Sequence, residues 1–274
     1  MTGYSLHLGD DEPDLAHYGD GRVKPLLGAQ ADAQAWALFA LSRGFEPLLL
    51  VGCDATISAV QRWVTTTVRE QGLTHVLVTW AGHGARIAMT QTELEDDISE
   101  GDTEGTHETW VLWDRMLLDD EVATLLAMFP KSATVIAAVD SCHSGGSLRE
   151  WMLTNGASDL QDVRTRTVRD DAAAAIYSSH QDMYDAALDA ADPDSDIRHI
   201  VGLTACRVDE VALESGGRGH FSRVMLELLE TRTWESYTAL MEATAAELGS
   251  GQHPCTYPVD GAAKQFAHEP FEPG

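Results

Sequence analysis

Basic residues are scarce in this chain. Eighteen lysines and arginines face 44 aspartates and glutamates over 274 residues, a formal net charge of −26. That field repels phosphate backbones, which argues against nucleic acid as a partner, and it attracts basic peptides. Most of it is expected to be plain solvated surface. Cysteine is scarcer still: Cys53, Cys142, Cys206 and Cys255 show no CxxC spacing and no dense pattern. A disulfide framework is therefore not expected, and reduced thiols in the cytoplasm are the simplest reading. Long apolar runs are missing too. None approaches the roughly 18 residues that a membrane span needs, and the opening MTGYSLHLGDDEPD lacks the basic and apolar regions of a secretory leader. No proline-, serine- or glycine-rich linker divides the sequence, so residues 1–274 read as one domain, long enough to bury a substantial core.

What is present alternates. Gly3–Leu8, Phe45–Val51, His75–Trp80 and Thr134–Val139 read as strands, and Ile197–Leu203 and Thr256–Val259 as two more. Between them, Ala31–Arg43 is rich in helix formers with Gly44 as its stop, and Thr56 caps a helix whose Ile57, Val60, Val64 and Val68 share one face. A third helix carries Asp119 and Asp120 in its first turn, where the macrodipole favours acids, and Val122, Leu125, Leu126 and Phe129 as its buried stripe. Two amphipathic helices come next, over 221–229 and 234–248. This order implies an α/β architecture, a mostly parallel six-stranded sheet covered by helices on both faces. Residues 147–196 break the pattern. From about 155 to 196 they read as a regulatory insert, since a loop of that length in a compact domain is usually functional or disordered.

Two strand ends carry chemistry. His75–Trp80 runs into Ala81-Gly82-His83-Gly84, and Thr134–Val139 into Asp140-Ser141-Cys142-His143-Ser144-Gly145-Gly146. Open parallel sheets place catalytic groups beyond the carboxyl ends of their strands. A thiolate, not a thiol, attacks a carbonyl, so Cys142 needs a base; His83 can supply it and later protonate the leaving amine. The backbone N–H groups of Gly84 and Cys142 are candidates for holding the oxyanion. His143 is the rival base, but next to Cys142 on an extended backbone it points the other way. Taken singly, Cys142 would more often be an inert buried thiol and His83 a hydrogen-bonded loop residue. Their paired placement favours a dyad.

The string WAGHGAR, followed about 60 positions later by AAVDSCHSGG, resembles the His-Gly and Asp-x-Cys-x-Ser-Gly boxes of metacaspases and their bacterial relatives, the orthocaspases, in the caspase-like clan of cysteine peptidases. Caspases likewise place their His about 50 residues before the Cys, although their Gln-Ala-Cys-x-Gly signature is absent here. The resemblance implies a caspase-like three-layer fold and a cysteine endopeptidase that cuts protein or peptide substrates after Arg, with Lys tolerated, and needs no organic cofactor. LLGAQADAQAWALF is similar to the metacaspase segment Gly-Cys-x-Asn-Asp-Ala, which makes Asp32 its acid. In that family this Asp and the one two before the nucleophile, Asp140 here, line the pocket for the residue before the scissile bond. Two carboxylates in a narrow pocket suit a guanidinium. HIVGLTACRVDEVALES is similar to the family's strand and acidic loop, and adds Asp209. The family's serine before Gly-His-Gly is Ala81 here, so one pocket hydroxyl is missing.

Many metacaspases also bind Ca²⁺. Asp119 and Asp120 keep the family's Asp-Asp pair, but GTHETW puts His107 at the first ligand position and the last falls near Arg149. Calcium takes six to eight oxygens, so dependence on it is expected to be weak or nil, with Glu104, Glu108 or Glu150 as the available substitutes. If the pocket takes Arg, then Arg164, Arg166 and Arg169 are natural points for self-cleavage or for an activating protease; an inhibitory partner is another route to latency. The resemblance further implies a bacterial stress or immune response. Two other classes stay open: a catalytically silent caspase-like module that binds a partner, and a legumain- or gingipain-like clan relative of different specificity. A flavodoxin-like binding domain is disfavoured because no glycine-rich phosphate loop follows the first strand.

Overall fold

The computed structural model describes residues 2–89, 105–142, 163–192, 195–197, 200–207, 210–257 and 269–271. Its strands are β1 (Thr2–Gly9), β2 (Phe45–Val51), β3 (Leu73–Ala81), β4 (Gly84–Ala88), β5 (Thr106–Val111), β6 (Met116–Leu118), β7 (Thr134–Asp140), β8 (Arg164–Thr165), β9 (Ile200–Thr204), β10 (Leu213–Ser215), β11 (Arg218–Gly219) and β12 (Cys255–Tyr257). Its helices are α1 (Leu15–Tyr18), α2 (Ala29–Ser42), α3 (Ile57–Thr67), α4 (Asp119–Ala127), α5 (Asp170–Ser179), α6 (Gln181–Ala190), α7 (His220–Thr231) and α8 (Tyr237–Leu248). Six strands form the main sheet in the order β12-β9-β7-β3-β1-β2. All neighbours run parallel except β12, which is antiparallel to β9.

Alternation along the central strands sorts the layers. Leu77, Ile136 and Ala138 join Trp36, Phe39, Phe221, Met225 and Leu240 in one core, under α2, α7 and α8. Val76, Val78, Val135 and Ala137 join Val60, Val64, Leu126 and Phe129 in the other, under α3 and α4. The result is a three-layer α/β fold. Each fully buried Leu, Ile or Val contributes about 1.5–3 kcal/mol of transfer free energy, which is why the central strands tolerate so few polar residues.

Register then positions the chemistry. β3 and β7 pair from His75↔Thr134 to Ala81↔Asp140, so the two strands end level. His83 and Cys142 each come two residues later and leave the sheet side by side.

Beyond His83, β4, β5 and β6 form a small antiparallel sheet, with Trp110 stacked against Trp80 at 6.2 Å between ring centres. Two expectations are corrected. Of the supposed insert, residues 155–162 lie outside the described ones, and strand or helix covers 164–165, 170–179 and 181–190. Alanine-rich α5 and then α6 dock Ala173, Ile176 and Tyr184 onto Val111, Met116 and Leu118 of the small sheet. Alanine favours helix and Ile176 supplies the anchor, so this segment belongs to the domain rather than to a mobile loop. The last helix starts at Tyr237, not 234, because the Ser236 side chain accepts from the Ala239 N–H. No helix among the described residues is long and apolar enough to cross a membrane.

Candidate active site

His83 is buried, and its Nε2 lies 2.7 Å from the Lys24 carbonyl oxygen. A carbonyl only accepts, so the ring proton sits on Nε2 and Nδ1 keeps its lone pair. Nδ1 has no hydrogen-bond partner among the described residues. Burial lowers the His83 pKa to about 4 despite the bond to Lys24, with the Arg166 charge adding to the drop. The ring is thus a neutral base. Gly82 makes the turn possible: any Cβ there would collide with the Trp80 indole. Cys142 is fully buried, and its thiol donates to the Glu210 carbonyl at 2.6 Å.

Beside the dyad lies an acidic pit. Asp32, in the first turn of α2, is fully buried and accepts from the Gly219 N–H at 2.7 Å and from Arg218 Nε. Asp140, the last residue of β7, accepts from the Ser222 N–H in the first turn of α7 at 2.9 Å. Both acids therefore draw on a helix N-terminus, where partial positive charge favours an anion. Glu214 on β10 is the third wall, braced by the Leu27 N–H at 2.8 Å. Burial pushes the Asp140 and Glu214 carboxyls up, and Arg166 offsets only part of that rise.

Arg166 fills the pit and is itself fully buried. Its Nη2 reaches Asp32 at 2.5 Å and Glu214 at 3.4 Å, and its Nη1 reaches the Asp140 carboxylate and carbonyl, each at 3.1 Å. Burial alone would lower its pKa, but Asp140, Asp32 and Glu214 more than reverse that and hold it charged. The Arg166 carbonyl oxygen accepts from the N–H groups of Gly84 at 3.0 Å and Cys142 at 3.1 Å. On one side, β8 pairs antiparallel with β10 and the Arg166 N–H bonds the Ala212 carbonyl at 2.9 Å. On the other, the Val168 N–H bonds the Gly84 carbonyl at 2.8 Å. Residues 164–168 thus lie extended across the two strand ends, with an arginine side chain in the acidic pit and its carbonyl on the two expected oxyanion donors.

The remaining expected residues separate. Arg164 lies on β8 and donates to the Pro25 carbonyl at 2.5 Å. Arg169 is exposed and pairs with Asp171 at 2.6 Å. Asp209, His143, Glu104, Arg149 and Glu150 lie outside the described residues. Asp119 and Asp120 flank buried His107, whose Nδ1 is 3.6 and 3.5 Å from their carboxylates. Burial opposes charging of His107, but the two aspartates outweigh it and lift its pKa to about 10. One imidazole and two carboxylates do not make the oxygen cage that calcium wants, and an imidazolium there offsets one of the two negative charges. The sequence reading missed Glu214, Arg218 and the carbonyls of Lys24 and Glu210. The signal for Glu214 was there, an acid within the apolar string VALES; backbone carbonyls leave no trace in side-chain identity.

No protein-family model matches the chain, and no curated protein matches it. Solved structures do match. A crystal structure of protein GSU0716 from Geobacter sulfurreducens superimposes with a TM-score of 0.80 at 25% sequence identity, over 99% of this chain and 98% of that one. The chain is therefore similar in fold to that protein along nearly its whole length.

Proposed function

We propose that the protein is a metacaspase-like cysteine endopeptidase that cuts after Arg, with Lys accepted less well. Cys142 is the nucleophile, His83 the base, and Asp32, Asp140 and Glu214 read the side chain before the cut. The observation that carries this reading is Arg166, whose guanidinium lies among the three acids while its carbonyl oxygen accepts from Gly84 and Cys142. A substrate held in that way presents its carbonyl carbon to the thiol. His83 Nδ1 takes the thiol proton, and the thiolate sulfur adds to the carbonyl carbon. The two N–H groups hold the oxyanion. The C–N bond then breaks as His83 returns its proton to the amine, and water hydrolyses the thioester.

This form of the protein is latent. Its pit is filled by its own arginine, and its thiol is bonded to the Glu210 carbonyl rather than to the base. Cleavage between Arg166 and Thr167, by the chain itself or by another protease, or displacement by a partner, would open it. Calcium is not required, because protonated His107 takes the place of a cation beside Asp119 and Asp120. The filled pit also suits a second reading, a silent module whose segment never leaves.

Fluorogenic peptides ending in Arg, Lys or Asp separate the two. Wild type with its segment nicked should hydrolyse Arg peptides best and Asp peptides not at all, unchanged by chelator, and Cys142→Ala should hydrolyse none. A nicked wild type that cuts no Arg peptide would leave the binding module.

A further inference from the structure

A second thiol adjoins the nucleophile and has no part in peptide cleavage. Cys206 lies two residues beyond β9, which pairs in register with β7 through Val139↔Thr204, so Cys142 and Cys206 emerge from adjacent strand ends. Both thiols address one acceptor: the Glu210 carbonyl lies 2.6 Å from the Cys142 sulfur and 3.6 Å from that of Cys206. The Cys206 sulfur also lies 4.0 Å from the carbonyl oxygen of Ser141, the residue before Cys142. The adjoining Cys142 side chain, and then burial, raise the Cys206 thiol well above its ordinary range, so Cys142 rather than Cys206 meets the oxidant first. Cys53 is exposed, and Cys255 bonds instead to the His253 carbonyl at 3.6 Å.

We infer that Cys142 and Cys206 are a resolving pair, which hydrogen peroxide converts to a disulfide that switches the nucleophile off reversibly and shields it from terminal oxidation. Both sulfurs are buried, which favours an oxidant little larger than water over a bulky disulfide donor. Cys142 gives up its thiol proton and the thiolate attacks one peroxide oxygen; the S–O bond forms, the O–O bond breaks, and the leaving hydroxide takes up that proton as water. Sulfur is oxidised by two electrons and peroxide is reduced. The Cys206 sulfur then attacks the sulfenic sulfur, its proton and the departing hydroxide make a second water, and the S–S bond forms. In sum, two thiols and one peroxide give one disulfide and two waters. A dithiol restores both thiols by exchange.

The loss of peptide cleavage rests on the peptidase reading, whereas the disulfide does not. Full-length protein is treated with hydrogen peroxide, alkylated and digested. A peptide linking Cys142 to Cys206 should appear, the intact mass should fall by two hydrogen atoms for that bond, and dithiothreitol should reverse both. In Cys206→Ala, or Cys206→Ser if alanine folds poorly by circular dichroism, Cys142 should instead gain two oxygens as sulfinic acid and stay lost to dithiothreitol. The inference is overturned if wild type accumulates Cys142 sulfinic acid as fast as the variants. It is also overturned if no linked peptide forms at a dose that oxidises exposed Cys53. A linked peptide from a protein that never cleaves Arg peptides would retain the redox pair and remove the peptidase.

Discussion

Arg166 and the acids around it depend on one another. Arg166 is the cation that Asp32, Asp140 and Glu214 share, and buried carboxylates that lose it are costly, so Arg166→Ala should destabilise the chain by about 3–5 kcal/mol in urea denaturation, far more than Arg169→Ala at the surface. For substrates the same geometry favours a fork over a point. Nη1 serves Asp140 while Nη2 serves Asp32 and Glu214, and one ammonium cannot reach both sides. Losing one charge-assisted bond costs about 1.5–3 kcal/mol, so Arg peptides should exceed Lys peptides in kcat/KM by roughly 10–100-fold, and Asp32→Asn should lower Arg-peptide kcat/KM by a similar factor. A Cβ at Gly219 would run into Asp140 and the Arg166 guanidinium. Gly219→Ala should therefore raise KM for Arg peptides more than it lowers kcat. Residues of this kind divide by how their signal is written. His83 and Cys142 were legible because each lies beyond an apolar strand within a glycine- or serine-flanked turn. Asp32 and Asp140 needed the family resemblance, and nothing local marked the Lys24 carbonyl that sets the His83 tautomer.

At the scale of elements, β3 and β7 were readable because strands buried on both faces are near-continuous apolar runs. The short strands β4, β5, β6, β8, β10 and β11 were not, since two to six residues give too few periods to distinguish from loop. The pairing of β8 with β10 is the instance that matters most, because it joins segments about 50 residues apart and no local pattern announces it. Helix α5 anchors the chain just past β8. Truncating its buried Ile176 to Ala should cost about 2–5 kcal/mol and should also speed proteolytic nicking between residues 163 and 169, read by gel after brief trypsin exposure. An Ala174→Gly change on the same helix, at an exposed position, should cost only about 1 kcal/mol and leave nicking nearly unchanged.

Across the whole molecule, two buried histidines titrate in opposite senses. His83 has a folded pKa of about 4, below the usual 6.5, so the native state binds fewer protons than the unfolded chain between those values. Its contribution is complete above about pH 6.5 and is lost on acidification toward 4, at about 1.4 kcal/mol per pH unit. His107, lifted to about 10, contributes fully below pH 6.5 and loses that contribution as pH rises through 10. Wild type should therefore lose ground to His83→Gln as pH falls from 6.5 to 4.5. Its advantage over His107→Gln should shrink between pH 7 and 10. Chemical denaturation across that range checks both slopes.

The claim that this fold seats its own arginine as a substrate is tested most directly by following the intact chain. Purified wild type and Cys142→Ala are incubated and their products identified by mass and N-terminal sequence. Wild type should yield a fragment ending at Arg166 and one beginning at Thr167, Cys142→Ala should stay whole, and Arg-peptide hydrolysis should rise as the fragments appear. A wild type that stays whole, and that hydrolyses no Arg peptide even after trypsin has opened the segment, would contradict it.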